Sequence, residues 1–380
     1  MKRFLVLGAF GYDTNQLDGQ TVKTRNVYKL LQENYGEVDY VDTMHIRRKP
    51  LSLFKSLWKL IRCNKLILIP CLNNLTYIFP VVYYLSKLFR YDIIHICVGG
   101  WQLEYFIGNE RFDSHPRQLR LSRKIKAFLP EMIKVENDLK NQLGFTNTDV
   151  FPNFRFISSD VKHVYTTSTR LRLVFLARVD KNKGYDTIFS FAREIEEKGY
   201  DISIDFYGPI NQSDKDEFLT LVERYKSVVT YKGILQQDQV TMTLVNYDLM
   251  LLPTRYYTEG FPGSVLDAYI AGIPVIATNW KHAHEFIDDT KTGFVVSFND
   301  SQNEFNERIL TLYRDRKMLQ YMKTESFKKR LQYSDNCALS VLSKYLSFTY
   351  PFSDDEVLHN VSFSVNSGEK IAIVSNKPQT

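Results

Sequence analysis

The chain lacks most features that mark secreted, metal-binding or membrane-spanning proteins. Its four cysteines, Cys63, Cys71, Cys97 and Cys337, show neither metal-ligand nor redox spacing. They read as free thiols of a reducing compartment. No apolar run approaches the roughly 18 to 20 residues that span a bilayer. Lys2-Arg3 leads only into the short apolar run Phe4 to Leu7. The expectation is therefore a first strand rather than a signal peptide, and a cytoplasmic chain. There is no internal repeat and no low-complexity segment. Acids are missing altogether between Ile46 and Lys65. No nucleic-acid-binding motif accompanies that basic stretch, which argues against a nucleic-acid partner.

What is present is the composition of a globular enzyme. Apolar residues make up 44% and charged residues 24% of 380 residues, too long for one ordinary core and consistent with two domains and an appendage. Short apolar strands alternate with amphipathic helices, the pattern of parallel α/β sheets. The first half reads as strands at 4–7, 38–41, 66–69 and 93–96, with helices near 21–34, 77–89 and 136–143. The second half starts near Tyr165, with strands at 173–176, 202–207, 228–231, 249–252, 275–277 and 294–296. Helices near 301–316 and 333–347 close it.

The most informative stretch runs from Tyr247 to Ala277. It reads as a buried strand (Leu249 to Leu252), a Pro- and Gly-broken loop, a helix from about Ser264 to Ala271, and a second strand. Ligands of open α/β sheets bind where a strand ends and a helix begins. Here that junction carries Glu259, Gly260, Gly263 and Ser264. A free helix N-terminus offers unpaired N–H groups and a positive dipole end to an anion such as a diphosphate. Asp267 follows Glu259 by eight positions. A second stretch, Arg172 to Asp186, ends a strand at Arg178 and opens a helix at Lys183-Gly184. Two cations five apart across such a turn can converge on one phosphate pair.

Together, Glu259-Gly-Phe-Pro, Ala268-Tyr-Ile-Ala-Gly-Ile-Pro-Val and Arg178 with Lys183-Gly184 resemble the signature of retaining glycosyltransferases of family 4. The resemblance implies a GT-B fold: two Rossmann-like domains whose parallel sheets face a central cleft. It places an acceptor-side domain at 1–164, a nucleotide-sugar domain at 165–332 and a crossing helix at about 333–347. It makes Glu259, Arg178, Lys183 and His95 catalytic candidates. Gly19, Gly260, Phe261, Gly263, Ser264, Val265 and Asp267 become candidates for substrate binding. Asp267 stands where the family has its second glutamate, which holds the nucleotide ribose, and is one methylene shorter. Phe151-Pro-Asn-Phe-Arg155 resembles the family's interdomain segment, with Phe154 in place of glycine.

Other positions carry weaker signals. Gly19 opens a helix in a loop that the resemblance sets across from the donor phosphates, with Gln20, Lys23 and Arg25 as acceptor contacts. His95 reads, from the residues alone, as a structural histidine at a strand end. Asp214-Lys-Asp216 has the spacing of a metal site but follows Ser213 and precedes Glu217-Phe218, so it reads as a capped helix start and no metal is expected.

Charge is uneven. Residues 1–165 hold 24 Lys and Arg against 15 Asp and Glu, a net of +9, which leaves −3 for the rest of a +6 chain. The excess concentrates between 46 and 65, where Leu53, Phe54, Leu57, Trp58 and Ile61 fall at helical spacing among Lys55, Lys59 and Arg62. That pattern suits either a solvated core helix or an anionic membrane surface. A second basic cluster runs from Arg117 to Lys126. The end of the chain, Val357 to Val374, resembles the opening strands of an ABC-transporter ATPase. The residues after it, Ser375 to Thr380, contain no glycine to build a phosphate loop.

The expected activity is transfer of a sugar from a nucleotide-diphosphate donor to a glycan or lipid-linked saccharide. It needs no cofactor and resembles capsule and O-antigen assembly. A GT-B-fold sugar-nucleotide epimerase, or a non-catalytic binding protein, stays open at this stage.

Overall fold

The computed structural model describes residues 3–14, 16, 18–48, 52–157 and 168–346. The expected boundary at 164–165 and the tail at 350–380 lie outside the described residues. Within them the chain builds two parallel sheets. The first contains β1 (Phe4–Gly8), β2 (Val38–Asp42), β3 (Lys65–Ile69), β4 (Asp92–Ile96) and β5 (Ala127–Leu129), in the order β2-β1-β3-β4-β5. The second contains β6 (Leu171–Leu176), β7 (Ile202–Tyr207), β8 (Val229–Tyr231), β9 (Leu249–Leu252), β10 (Val275–Thr278) and β11 (Gly293–Val296), in the order β11-β10-β9-β6-β7-β8. Central strands such as β1, β9 and β10 are buried at every residue. That is why they read as continuous apolar runs rather than alternating ones.

Strand order reverses between β1 and β3 in the first sheet, and between β6 and β9 in the second. Crevices outside the strand C-termini open at such points. The chain passes between the halves at 151–157 and again near 330–335. The two passages are tied together: Arg155 N donates to Tyr333 O and Asp335 N donates to Arg155 O, both at 3.1 Å. The helix Asp335–Leu346 then lies along the first half, where Lys344 pairs with Asp149 at 2.7 Å and Lys65 Nζ donates to Tyr345 O.

Three sequence expectations need correction. The helical spacing read from Leu53 to Arg62 is present as the helix Ser52–Arg62, but the short helix Thr43–Arg48 before it was not expected. A helix at Arg316–Lys329 was not foreseen. Its Lys323 and Lys329 are buried against Asp248 and Asp288, which dilutes the apolar periodicity. His95, a catalytic candidate, is in the core of the first half. Its ring packs between Phe79 and Phe128, its Nδ1 has no partner, and burial pushes its pKa down to about 3. It is enclosed and is not among the residues that line the cleft.

Lys23 is likewise no acceptor contact. It is fully buried and donates to Glu131 at 2.7 Å and to the carbonyls of Cys97 and Phe151. Burial lowers its pKa, and Glu131 opposes that shift. Gln20 Nε2 bonds Ile69 O, and Arg25 caps the carbonyls of Phe10 and Gly11. Breaking one partner of a buried pair costs about 3 to 5 kcal/mol. Glu131→Gln should therefore lower the unfolding free energy by that amount in denaturant titration. A loss under about 1 kcal/mol, the worth of one ordinary hydrogen bond, would show that the two carbonyls hold the ammonium without a counter-charge.

His95 also sets a pH dependence. Its folded pKa lies below its ordinary 6.5, so the stability gained by keeping it neutral is complete above pH 6.5 and is lost as pH falls toward 3. His95→Leu should flatten the decline of melting temperature below pH 6.5. A decline as steep as in the parent protein would contradict this.

Candidate functional site

A cleft of about 870 Å³ is lined by the C-terminal ends of strands from both sheets and the loops that follow them. On the side of the second sheet, the loop after β6 delivers both Arg178 and Lys183. The loop after β9 delivers Glu259, Gly260 and Gly263. On the side of the first sheet are Gly19, Gly99, Trp101 and Glu131.

Local chemistry fixes the loop that carries Lys183. Asp180 accepts from Lys183 N at 3.0 Å, and Asp214 accepts from Lys181 N at 3.2 Å. Asp214 thus braces this loop, while Asp216 sits in the first turn of the helix Lys215–Arg224. Among the described residues no cluster of three metal-ligating side chains occurs. Gly184 has φ of +77°, and a Cβ there would lie 2.0 Å from Pro253 O. Only glycine lets this loop press against the end of β9. Arg255 completes the junction, forking onto Asp186 at 2.9 Å through each nitrogen and donating to Lys181 O.

That packing brings the two charged candidates together. Lys183 Nζ donates to Glu259 Oε2, which also accepts from Thr254 Oγ1 at 3.2 Å. The ammonium lies 4.9 Å from the Tyr256 ring centroid. Arg178 is exposed and makes no ion pair among the described residues. The helix Gly263–Ala271 starts after Pro262, and its first intrahelical donors are Val265 and Leu266. The N–H groups of Gly263 and Ser264 therefore remain free at the cleft wall. One guanidinium, one ammonium and two backbone donors thus surround a space suited to an anion.

Asp267 lines the cleft and is held there by an arginine. It forms a bidentate pair with Arg155, Nε to Oδ1 at 2.7 Å and Nη2 to Oδ2 at 3.2 Å, with both side chains nearly buried. Arg155 also approaches Gly263 O at 3.5 Å. Arg155 was not foreseen as a site residue. Its one signal in the sequence was its place in the interdomain segment.

The remaining candidates divide. Gly19, Gly260, Phe261, Gly263 and Ser264 all line the cleft. A Cβ at Gly19 would meet nothing, so the space beside it is open. A Cβ at Gly260 would lie 2.9 Å from Gly99 Cα and 3.3 Å from Glu131 Oε2, so the two halves meet closely here. Phe261 offers no open ring, since it stacks on Phe286 with centroids 4.0 Å apart. Val265 does not line the cleft. Its side chain is fully buried and its N–H donates to Pro262 O, so it binds no substrate. Glu131 was also missed. It follows β5, lines the cleft, and accepts from Lys23 and from Gly99 N at 3.0 Å. Its only signal was its place just after a strand.

Behind the cleft, Lys281 pairs with Glu104 at 2.6 Å, and Glu285 accepts from Ile133 N. These contacts join the second half to the first.

With this geometry in hand, comparison with known proteins is informative. Residues 161–329 match the family described as glycosyl transferases group 1. An uncharacterized 41.2 kDa protein in the cps region of Klebsiella pneumoniae is 30% identical over 35% of this chain and 34% of its own length. The capsular polysaccharide biosynthesis glycosyltransferase CapM of Staphylococcus aureus is 25% identical over 53% of this chain and 56% of its own length. The chain thus spans about a third to a half of the curated relatives it matches. Among solved structures, Anabaena Alr3699/HepE in complex with UDP-glucose superposes with a TM-score of 0.66 at 14% identity, covering 91% of this chain and 99% of that one. Sucrose-phosphate synthase from Thermosynechococcus elongatus gives the same TM-score and identity, with 91% and 98% covered. The chain has the GT-B fold, and residues 161–329 match glycosyl transferases group 1.

Proposed function

We propose that this protein is a retaining glycosyltransferase of family 4. It moves a sugar from a nucleoside-diphosphate donor to a glycan or lipid-linked saccharide during assembly of a surface polysaccharide. One observation carries the reading: Arg178, the Lys183–Glu259 pair and the free N–H groups of Gly263 and Ser264 converge at the switch point between β6 and β9. A relative that is a capsular polysaccharide biosynthesis glycosyltransferase supports the polysaccharide setting, as does one encoded in a cps region.

The chemistry follows from charge. As the anomeric C–O bond breaks, negative charge grows on the departing diphosphate. Arg178, Lys183 and the helix N-terminus meet that charge, and they act most strongly in the transition state. Lys183 is already oriented by Glu259, so it needs no reorganisation when the donor arrives. Glu259 keeps lone pairs for hydroxyls of the transferred sugar. The acceptor hydroxyl attacks from the face that the diphosphate leaves, and its proton passes to the departing phosphate oxygen. This same-face course retains the anomeric configuration. Two protein cations supply the positive charge a metal would otherwise bring, so we propose a metal-independent reaction on the cytoplasmic side. Arg155 acts through Asp267, holding that carboxylate where the nucleotide ribose would lie.

Removing one preorganised charge contact costs about 2.7 to 4 kcal/mol of transition-state stabilisation. Arg178→Ala and Lys183→Ala should each therefore cut transfer about 100-fold or more, measured as nucleoside diphosphate released in the presence of acceptor. Near-parental turnover in both would remove the diphosphate assignment. Conversion of the donor without acceptor, to an isomeric sugar nucleotide, would instead identify an epimerase. Arg155→Ala should weaken donor binding about tenfold or more, the worth of a charge-assisted hydrogen bond, with Arg155→Lys partly restoring it. Equal donor affinity in Arg155→Ala would leave the pair with a purely structural role. Activity should persist in EDTA. Abolition by chelator with rescue by manganese would overturn metal independence.

A further inference from the structure

From Thr43 to Tyr91 the chain holds 49 residues with nine Lys and Arg and no Asp or Glu. Two of its helices, Ser52–Arg62 and Phe79–Phe89, pack side by side. Each has an inward face in the core, through Leu60 on one and Phe79 and Val82 on the other. Each also carries a second apolar stripe that is exposed among the described residues. On the first helix Phe54 is 76% and Trp58 58% exposed, with Leu53 and Leu57 beside them. Along the second and the π-helical turn Asn74–Ile78 that leads into it, Tyr77 (73%), Val81, Tyr84 and Leu88 (71%) follow at spacings of four, three and four, one outward row. A soluble helix normally turns a polar face outward, and large contiguous apolar patches mark interaction sites.

Cations rim the patch. Lys55, Lys87 and Arg90 are exposed, and Arg117 lies 5.8 Å from the Tyr84 ring centroid, which brings the second basic cluster to the same side. Lys59 is engaged with Asp39, and Arg62 covers the Trp58 ring at 4.3 Å. We propose that this two-helix face docks on an anionic lipid bilayer, with Phe54, Trp58, Val81 and Leu88 entering the headgroup–acyl boundary while the rim cations meet lipid phosphates. Charge decides between a bilayer and a second copy of this chain. A two-fold interface would lay the basic patch against itself, whereas anionic lipid complements it at every cation.

The proposal does not rest on the transferase reading, and its test measures binding alone. The full chain is sedimented with vesicles of phosphatidylcholine, and with vesicles of three parts phosphatidylcholine to one part phosphatidylglycerol. Binding is expected to the mixed vesicles, far weaker to the neutral ones, and weakened by salt because surface charges are screened over about 8 to 10 Å. The variant Phe54→Ser/Trp58→Ser/Leu88→Ser should lose binding to both, at unchanged melting temperature and unchanged nucleoside-diphosphate binding. Lys55→Gln/Lys87→Gln/Arg90→Gln should bind mixed vesicles about tenfold or more weakly. Equal sedimentation of parent and variants, or no binding by the parent, would overturn the proposal. So would self-association in analytical ultracentrifugation that the apolar variant abolishes while vesicle binding is unaffected.

Discussion

Every strand pairing in both sheets is parallel. That constraint sends all strand C-termini of a half to one edge and requires a crossover before each return. Helices therefore begin where strands end, and their unpaired N–H groups collect beside the same crevice. The strand-order reversals at β1/β3 and β6/β9 decide where that crevice is deepest. Arg178, Glu259, Gly263 and Gly99 owe their place in the cleft to this arrangement rather than to proximity in sequence.

Three charged pairs at the cleft join segments far apart in sequence. Lys183 meets Glu259 from 76 positions away, Lys23 meets Glu131 from 108, and Arg155 meets Asp267 from 112. Burying a charge is tolerable only when it is paired and hydrogen-bonded. These pairs therefore couple the site's geometry to the packing of both halves. Arg155 is the tightest example: its backbone joins the two passages between the halves, while its side chain fixes an acid on the cleft helix.

The elements legible in the sequence share a physical signature. β9, its Pro- and Gly-broken loop and the helix Gly263–Ala271 could be read because a fully buried parallel strand is a pure apolar run, and because turn residues mark its end. The cation pair could be read because both members flank one strand-to-helix turn. Polar residues whose role depends on distant partners could not be read. Lys23 looks available in sequence, and only its packing with Glu131 reveals that it is enclosed, whereas the structural reading of His95 from its residues agrees with its packing between Phe79 and Phe128. Arg155 was hidden for the same reason as Lys23. The helix Arg316–Lys329 was missed because its inward face includes lysines neutralised by Asp248 and Asp288. Val265 was drawn into the site by its neighbours in sequence, although helical geometry turns it to the core.

The decisive measurement is a crystal structure of the protein with whichever of UDP, GDP and CDP most raises its melting temperature. The terminal phosphate should lie within hydrogen-bond distance of the Gly263 and Ser264 N–H groups, with Arg178 and Lys183 closing on the diphosphate. A diphosphate seated away from the β6/β9 junction, or no stabilisation by any of the three, would contradict the assignment of this cleft as a nucleotide-sugar site.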